Sequence, residues 1–316
     1  MSLKRLAFAL LLAVVLAVFI RTFVFETIRV ATPAMSESQP LGNRLIVEKW
    51  TIGARLPLSI GIPFAPESIF GKKTYFQTLN KPYRFLGIGG IKRNDLLVFN
   101  CPVADSLPID RHAIMLSRCV GLPGELIKLQ GPRIFINDEE VQRAVDISIC
   151  YRYAKSAQKN VESQLKLNQI NKKTFLEKDS GFVYLTRYEY YTVSRQKNGE
   201  IIDLKTCTSS FDEQTVLIPY KGFRIELSNR SFRTWGALIN RYEGVKLERT
   251  ESGRFKKNGK DADFYLFKQN YYWLLNDHQG YLNDSRSLGM ITEDHLIGKA
   301  WLVLFSPKTK RFLQKI

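Results

Sequence analysis

Residues 113–141 read AIMLSRCVGLPGELIKLQGPRIFINDEEV, and this stretch decides the fold class. Residues 113–120 form a compact apolar run of strand length. Gly121-Leu122-Pro123-Gly124 punctuates it as a tight turn. Residues 125–130 and 133–136 continue the strands, and Asn137-Asp138 is a hairpin signal placed just before Val141. The same character recurs outward along the chain. Residues 44–50 (RLIVEKW) alternate, residues 95–101 (DLLVFNC) are a second apolar run, and residues 271–275 (YYWLL) and 299–305 (KAWLVLF) are late ones. The body is therefore expected to be mostly β and antiparallel.

The N-terminus is different. After Lys4 and Arg5, residues 6–20 (LAFALLLAVVLAVFI) carry no polar side chain. A helix of that length spans about 22 Å, short of a bilayer core of about 30 Å. Snorkelling of Arg21 and the apolar Phe23, Val24 and Phe25 extend it, which gives a transmembrane anchor over 5–25 after a cytoplasmic segment 1–4. A cleavable signal peptide is the competing reading. No small-x-small pair follows Ile20, so an uncleaved anchor is favoured. Lys4 and Arg5 precede the span while Arg21 and Arg29 follow it, so charge alone leaves orientation open. No second span is visible.

Composition narrows the partners. Lys and Arg total 47 against 30 Asp and Glu, a formal charge of +17 that calls for an anionic partner. With an anchor present and no nucleic-acid motif, that partner is an anionic lipid bilayer and not nucleic acid. The four cysteines include no C-x-x-C pair, which argues against a thiolate zinc site. The three histidines, His112, His278 and His295, offer little to a histidine triad or a multi-histidine metal site. No metal or cofactor is expected. Charged and polar residues crowd the interval between about 143 and 262, which reads as an inserted α+β lobe. The expected organisation is a β body over 26–142 and 264–316, with the lobe over 143–263. Within the lobe, 155–178 reads as helical or loop-like and 183–193 as an aromatic strand. Residues 51–92, rich in Pro and Gly, read as an extended surface excursion.

Five segments, in order, resemble the bacterial type I signal peptidases. Residues 22–50 (TFVFETIRVATPAMSESQPLGNRLIVEKW) match the box in which an anchor helix runs into a strand, Ser-Met, a Gly-Asp turn and a second strand. Residues 92–101 (KRNDLLVFNC), 118–125 (RCVGLPGE), 134–141 (IFINDEEV) and 284–289 (DSRSLG, followed by EDHLIGKA) resemble the later boxes. The resemblance covers roughly 1–141 and 264–306. It implies a signal-peptidase-like antiparallel β fold on a single-pass anchor, with its body on the extracytoplasmic side of the inner membrane. It also implies substrates that are the signal peptides of exported preproteins. Such enzymes use a serine nucleophile and a lysine base whose pKa burial lowers.

Carried over residue by residue, the resemblance meets substitutions at the reaction centre. The nucleophile position, before Met35, is Ala34. The general-base position, before Arg118, is Ser117. The position that orients the base is Leu282, and the oxyanion-hole hydroxyl has a stand-in in Thr32. The family's Gly-Asp-Asn-Arg lead-in is Asn276-Asp277-His278-Gln279. Asp284, Ser285 and Arg286 are retained, and in such enzymes the Asp–Arg pair braces the site wall. Ser36 and Ser38 are close in sequence to Ala34, but two residues shift a hydroxyl by roughly 6 Å. Ser117 with His278 as base is a further alternative. His278, His112, His295, Lys49 and Lys92 otherwise read as surface residues. Cys101 and Cys119 read as buried small hydrophobes, and Cys150 and Cys207 as a possible pair.

Three readings follow. The first is a pseudopeptidase that binds signal peptides, or an intact signal peptidase as partner. The second is an active enzyme, with Ala34 an engineered knockout or with other catalytic residues. The third is a non-catalytic scaffold at the lipid surface.

Overall fold

Helix Leu3–Phe23 opens the chain, and no residue of its apolar window is buried in the rest of the protein. The computed structural model describes residues 3–61, 68–69, 72–102, 107–142, 144–195, 202–207 and 213–316. Among them this is the one helix long and apolar enough to cross a membrane. Its end is capped from the body. Lys49 Nζ donates to the carbonyls of Arg21 (2.9 Å) and Thr22 (3.3 Å) and pairs with Glu26 at 3.0 Å. Helix C-terminal carbonyls lack intrahelical donors and carry partial negative charge, so a buried ammonium is stabilised there. Lys49, expected on the surface, is only 8% exposed for this reason.

The chain then builds an antiparallel sheet in the order Phe25–Arg29, Arg44–Glu48, Leu296–Phe305, Leu96–Asn100, Ile114–Gly121, Tyr271–Leu275 and Ile291–Thr292. Strand Phe312–Lys315 also pairs with Leu296–Phe305. Every residue of Leu96–Asn100 is buried because both faces of the sheet are covered. Leu96 and Val98 join Ile28, Leu45, Val47 and Leu116 on one side, while Leu97 and Phe99 join Cys119, Leu274 and Ile291 on the other. A strand in that position reads as an unbroken apolar run and not as an alternation. The predicted hairpin forms between Arg133–Ile136 and Glu139–Val141. Asn137 and Asp138 both adopt positive φ, 51° and 68°, the conformation a two-residue hairpin turn requires.

The polar interval expected as one insertion divides in two. Strands Ile149–Ala154, Thr174–Glu177, Ser180–Leu185 and Lys205–Thr206 pair with one another. With helices Gln158–Leu167 and Arg187–Ser194 they close over a core of their own around Tyr153, Val161, Val183 and Val193. By contrast, Glu213–Leu217 pairs with Leu126–Gln130 of the body. Helix Asn229–Tyr242 places Trp235 and Ile239 in the core that holds Ile127 and Trp273. Residues 183–193 are not one aromatic strand. The strand ends at Leu185 and a capping box starts a helix: Glu189 N donates to Thr186 Oγ1 (3.3 Å) and Thr186 N to Glu189 Oε2 (2.8 Å). Cys119 is fully buried and Cys101 half-buried. The Sγ atoms of Cys150 and Cys207 lie 2.8 Å apart, beside a Cys207 N–H to Cys150 C=O bond of 2.9 Å.

Candidate active site

Between strands Phe25–Arg29 and Arg44–Glu48 the chain makes a 3-10 turn, Pro33–Met35, entered through extended Thr32. Proline at its first position fixes the entry angle. Ala34 (5% exposed) and Met35 (1%) point inward, and the turn packs on strand Ile114–Gly121. Residues 276–278 hold it there. His278 N donates to Ala34 O at 3.0 Å, Asp277 N to Met35 Sδ at 3.3 Å, and Ser38 Oγ to Asp277 Oδ2 at 2.5 Å.

The same three residues hold Ser117 and Arg118. Ser117 is fully buried and donates to Asn276 Oδ1 at 2.7 Å. Arg118 donates from Nε and Nη2 to the two carboxylate oxygens of Asp277, at 2.7 and 2.6 Å. Burial alone would lower the guanidinium pKa, but the bonds and charge of Asp277 outweigh it and raise it. Leu282 is attached as well. Asn276 Nδ2 donates to the carbonyls on either side of it, Tyr281 (2.9 Å) and Asn283 (3.3 Å). Ala34 and Ser117 are thus both bonded to the segment 276–278, Asn276 also holds the backbone on either side of Leu282, and Thr32 stands exposed two residues before Ala34. Behind them Asp284 receives Arg286 Nη2 (2.8 Å) and the Asn276 N–H (2.9 Å). Ser285 Oγ receives the Leu274 N–H (2.9 Å), and Arg286 Nη1 donates to Gln279 O (2.9 Å). All three are buried.

Asn276 is the residue that sequence reasoning passed over. Its side chain is 3% exposed and lies against Ser117. By the resemblance, that place holds glycine in enzymes whose base is lysine. A small residue at 117 and a large one at 276 are complementary in volume, as close packing demands. Both departures are visible in the sequence, but their contact across 159 residues is not. Chemically, Ala34 presents a methyl group, and the Ser117 proton is engaged by an amide oxygen. Beside them lies an open edge. Strand Leu96–Asn100 pairs with residues 114–118, but Tyr271–Leu275 pairs only with 118–121. Among the described residues no strand pairs with 114–117 on that second side; Ile114 is half-exposed there, while Leu116 and Ser117 are buried.

The lobe reaches this centre. Ser148 N donates to Asp277 O (2.8 Å) and Gln279 N to Ser148 O (3.0 Å), and Lys172 pairs with Glu37 at 2.5 Å. The His278 ring lies 4.6 Å from that of Tyr184 and 4.9 Å from that of Tyr281. It is half-buried and not a free loop residue. Burial lowers its pKa; Glu37 opposes this, and Lys172 and Arg286 add to it. Its Nδ1 accepts from Gly280 N at 3.2 Å, while the Ser117 hydroxyl donates to Asn276.

His112 and His295, expected on the surface, are 8% and 5% exposed. Burial, with Arg55, His112 and Arg241 adding, pushes His295 down to about 3 from an ordinary 6.5. Below that ordinary value the unfolded chain takes up a proton that the folded chain refuses. The His295 contribution to stability thus falls as pH drops from 6.5 toward about 3. Neighbouring Asp294, raised to about 6 by burial, works in the opposite direction. Comparison with His295→Gln cancels that term. In denaturant titrations the parent should lose on the order of a few kcal/mol relative to the variant over this window. Parallel pH profiles would refute it.

A family model described as signal peptidase, peptidase S26, matches residues 3–199. The chain is 22% identical over 293 residues to Signal peptidase I of Buchnera aphidicola subsp. Schizaphis graminum (strain Sg), covering 92% of this chain and 71% of that one. It is 22% identical over 289 residues to Signal peptidase I of Buchnera aphidicola subsp. Acyrthosiphon pisum (strain APS), covering 90% and 70%. It is 26% identical over 123 residues to Signal peptidase I of Pseudomonas fluorescens, covering 39% and 34%.

Proposed function

Because this chain belongs to the signal peptidase, peptidase S26 family, we propose that it binds signal peptides of exported preproteins without cutting them. The observation that carries this reading is the Ser117–Asn276 hydrogen bond, 2.7 Å long at a position with no solvent exposure. Where the family's lysine would take a proton, this chain places a closed polar contact. A hydroxyl there is no base near neutral pH, and the methyl of Ala34 is no nucleophile. The binding elements need neither group: an extended peptide pairs with the unpaired strand edge at its accessible end, Ile114–Met115, and Asp284, Ser285 and Arg286 brace the wall. Helix Leu3–Phe23 holds the groove at the lipid surface of the inner membrane, with the body on its extracytoplasmic side. Anionic lipid and an intact signal peptidase are the further partners of this reading.

The test is fluorescence anisotropy with a labelled signal peptide and the full chain in detergent. The expected result is saturable binding at least about tenfold tighter than that of a scrambled peptide, a difference of about 1.4 kcal/mol. Equal binding of the two peptides would overturn it.

A further inference from the structure

Two cysteines of the lobe face each other across paired strands. Strand Ile149–Ala154 pairs with Lys205–Thr206, Tyr151 lying opposite Thr206 and Arg152 opposite Lys205. The next position in that register sets Cys150 opposite Cys207, and the Cys207 N–H to Cys150 C=O bond of 2.9 Å continues the ladder to it. Directly opposed residues of an antiparallel pair have Cα atoms about 4.5–5.5 Å apart, inside the range of about 4.4–6.8 Å that a disulfide spans. The side chains turn toward each other, with their Sγ atoms 2.8 Å apart. Both residues are half-buried, so a reagent can reach them. Cys101 and Cys119 cannot meet in this way. Cys101 N donates to Ala113 O and Cys119 N to Asp95 O, which puts the two roughly 20 Å apart along one pair of strands.

A covalent link at 150 and 207 falls where the lobe is held most lightly. Lys205–Thr206 is a two-residue strand at the sheet edge, and both its residues are exposed. Yet the segment leading into it carries Ile202 and Leu204 into the lobe core. The two cysteines are 57 residues apart in the chain, so joining them removes much freedom from the unfolded state. Strand Ile149–Ala154 also borders the candidate site. Cys150 N donates to Gln279 Oε1 at 3.0 Å. Tyr184, opposite Cys150 on the other neighbouring strand, lies against the His278 ring. Gly280 makes room for it, since a Cβ there would fall 2.8 Å from the tyrosine ring.

We infer that Cys150 and Cys207 are a modification site, oxidised to a disulfide that staples the edge strand to the lobe and holds the lobe wall against residues 276–279. A disulfide donor carries out the step by exchange. One cysteine thiolate attacks a donor sulfur and expels the other donor sulfur as a thiolate; the second cysteine thiolate then attacks the mixed disulfide and releases the donor. The two thiols of the protein lose two protons and two electrons, and the donor gains them as a dithiol. A body on the extracytoplasmic side meets such donors, but the pairing does not depend on the signal-peptide reading.

The experiment incubates the full chain in detergent with oxidised glutathione, unfolds it in urea, blocks remaining thiols with N-ethylmaleimide and maps tryptic peptides by mass. The expected result is maleimide on Cys101 and Cys119 alone, with the Cys150 and Cys207 peptides joined and lighter by two hydrogens than their sum. Reduction should separate them. In Cys150→Ser, Cys207 should instead keep a glutathione adduct, because no second thiol is there to displace it. Maleimide on all four cysteines, or glutathione on Cys150 and Cys207 of the parent, would overturn the inference. The staple is read separately by hydrogen exchange on the same parent chain, oxidised and reduced, so that no substitution is involved. Amides of Ile149–Ala154 and of residues 202–207 should lose about tenfold or more of their protection on reduction. Equal exchange in the two forms would show that the link holds nothing in place and would overturn its role as a staple.

Discussion

Ala34→Ser alone will leave the chain inert toward a signal peptide, and Ala34→Ser with Ser117→Lys will not rescue it. A restored serine hydroxyl keeps its proton until a base takes it, and Ser117 is none. A lysine at 117 must enter a site with no solvent exposure that the Asn276 amide already fills. Overpacking of that kind costs about 1–3 kcal/mol, and a buried ammonium without a partner adds more. Room must come from Asn276→Gly, and Leu282→Ser supplies an oxygen to orient the new amine. The four-site variant is therefore expected to be the first in the series to cut, at about 10²-fold or more above the blank, the lower range of general-base catalysis. Groups acting as a unit are strongly non-additive, so one- and two-site variants should look alike. Full cleavage by Ala34→Ser alone would mean that the base lies elsewhere and that the methyl at 34 is the sole lesion.

Breaking the Arg118–Asp277 pair will have the largest effect on stability. Asp277 is fully buried and Arg118 nearly so, with two short bonds between them. Removing one partner strands a charge, at a cost of about 3–5 kcal/mol. Urea titration should show this for Arg118→Leu and for Asp277→Leu, with the double variant costing less than either single one. Because Ser38 Oγ donates to the Asp277 carboxylate, the Asp277 variant should also lose peptide binding. A cost under about 1 kcal/mol, the range of exposed pairs, would show the contact to be solvent-screened.

The sequence carried the strands and the turns because those depend on local patterns. The buried run at 95–101 and the Asn137-Asp138 turn needed only side-chain period and backbone preference. The aromatic content of Arg187–Ser194 favours a strand, but the Thr186–Glu189 capping box decides for a helix. Lys49, His112 and His295 are buried although their side chains are polar or charged, which residue type alone does not show. A buried lysine needs waiting carbonyls, and those come from the end of the anchor helix. The substitutions at 34, 117 and 282 were legible one position at a time. That Asn276 fills the space beside Ser117 was not, because the two are 159 residues apart in the chain.

The most direct test of the central claim is a time course of a fluorogenic signal peptide with the purified full chain in detergent, set against buffer alone and read out by mass. The account predicts that the peptide is recovered intact at every time point, although it binds. Product accumulating above the buffer blank in proportion to protein concentration would contradict it, and another nucleophile would then have to be found in this fold.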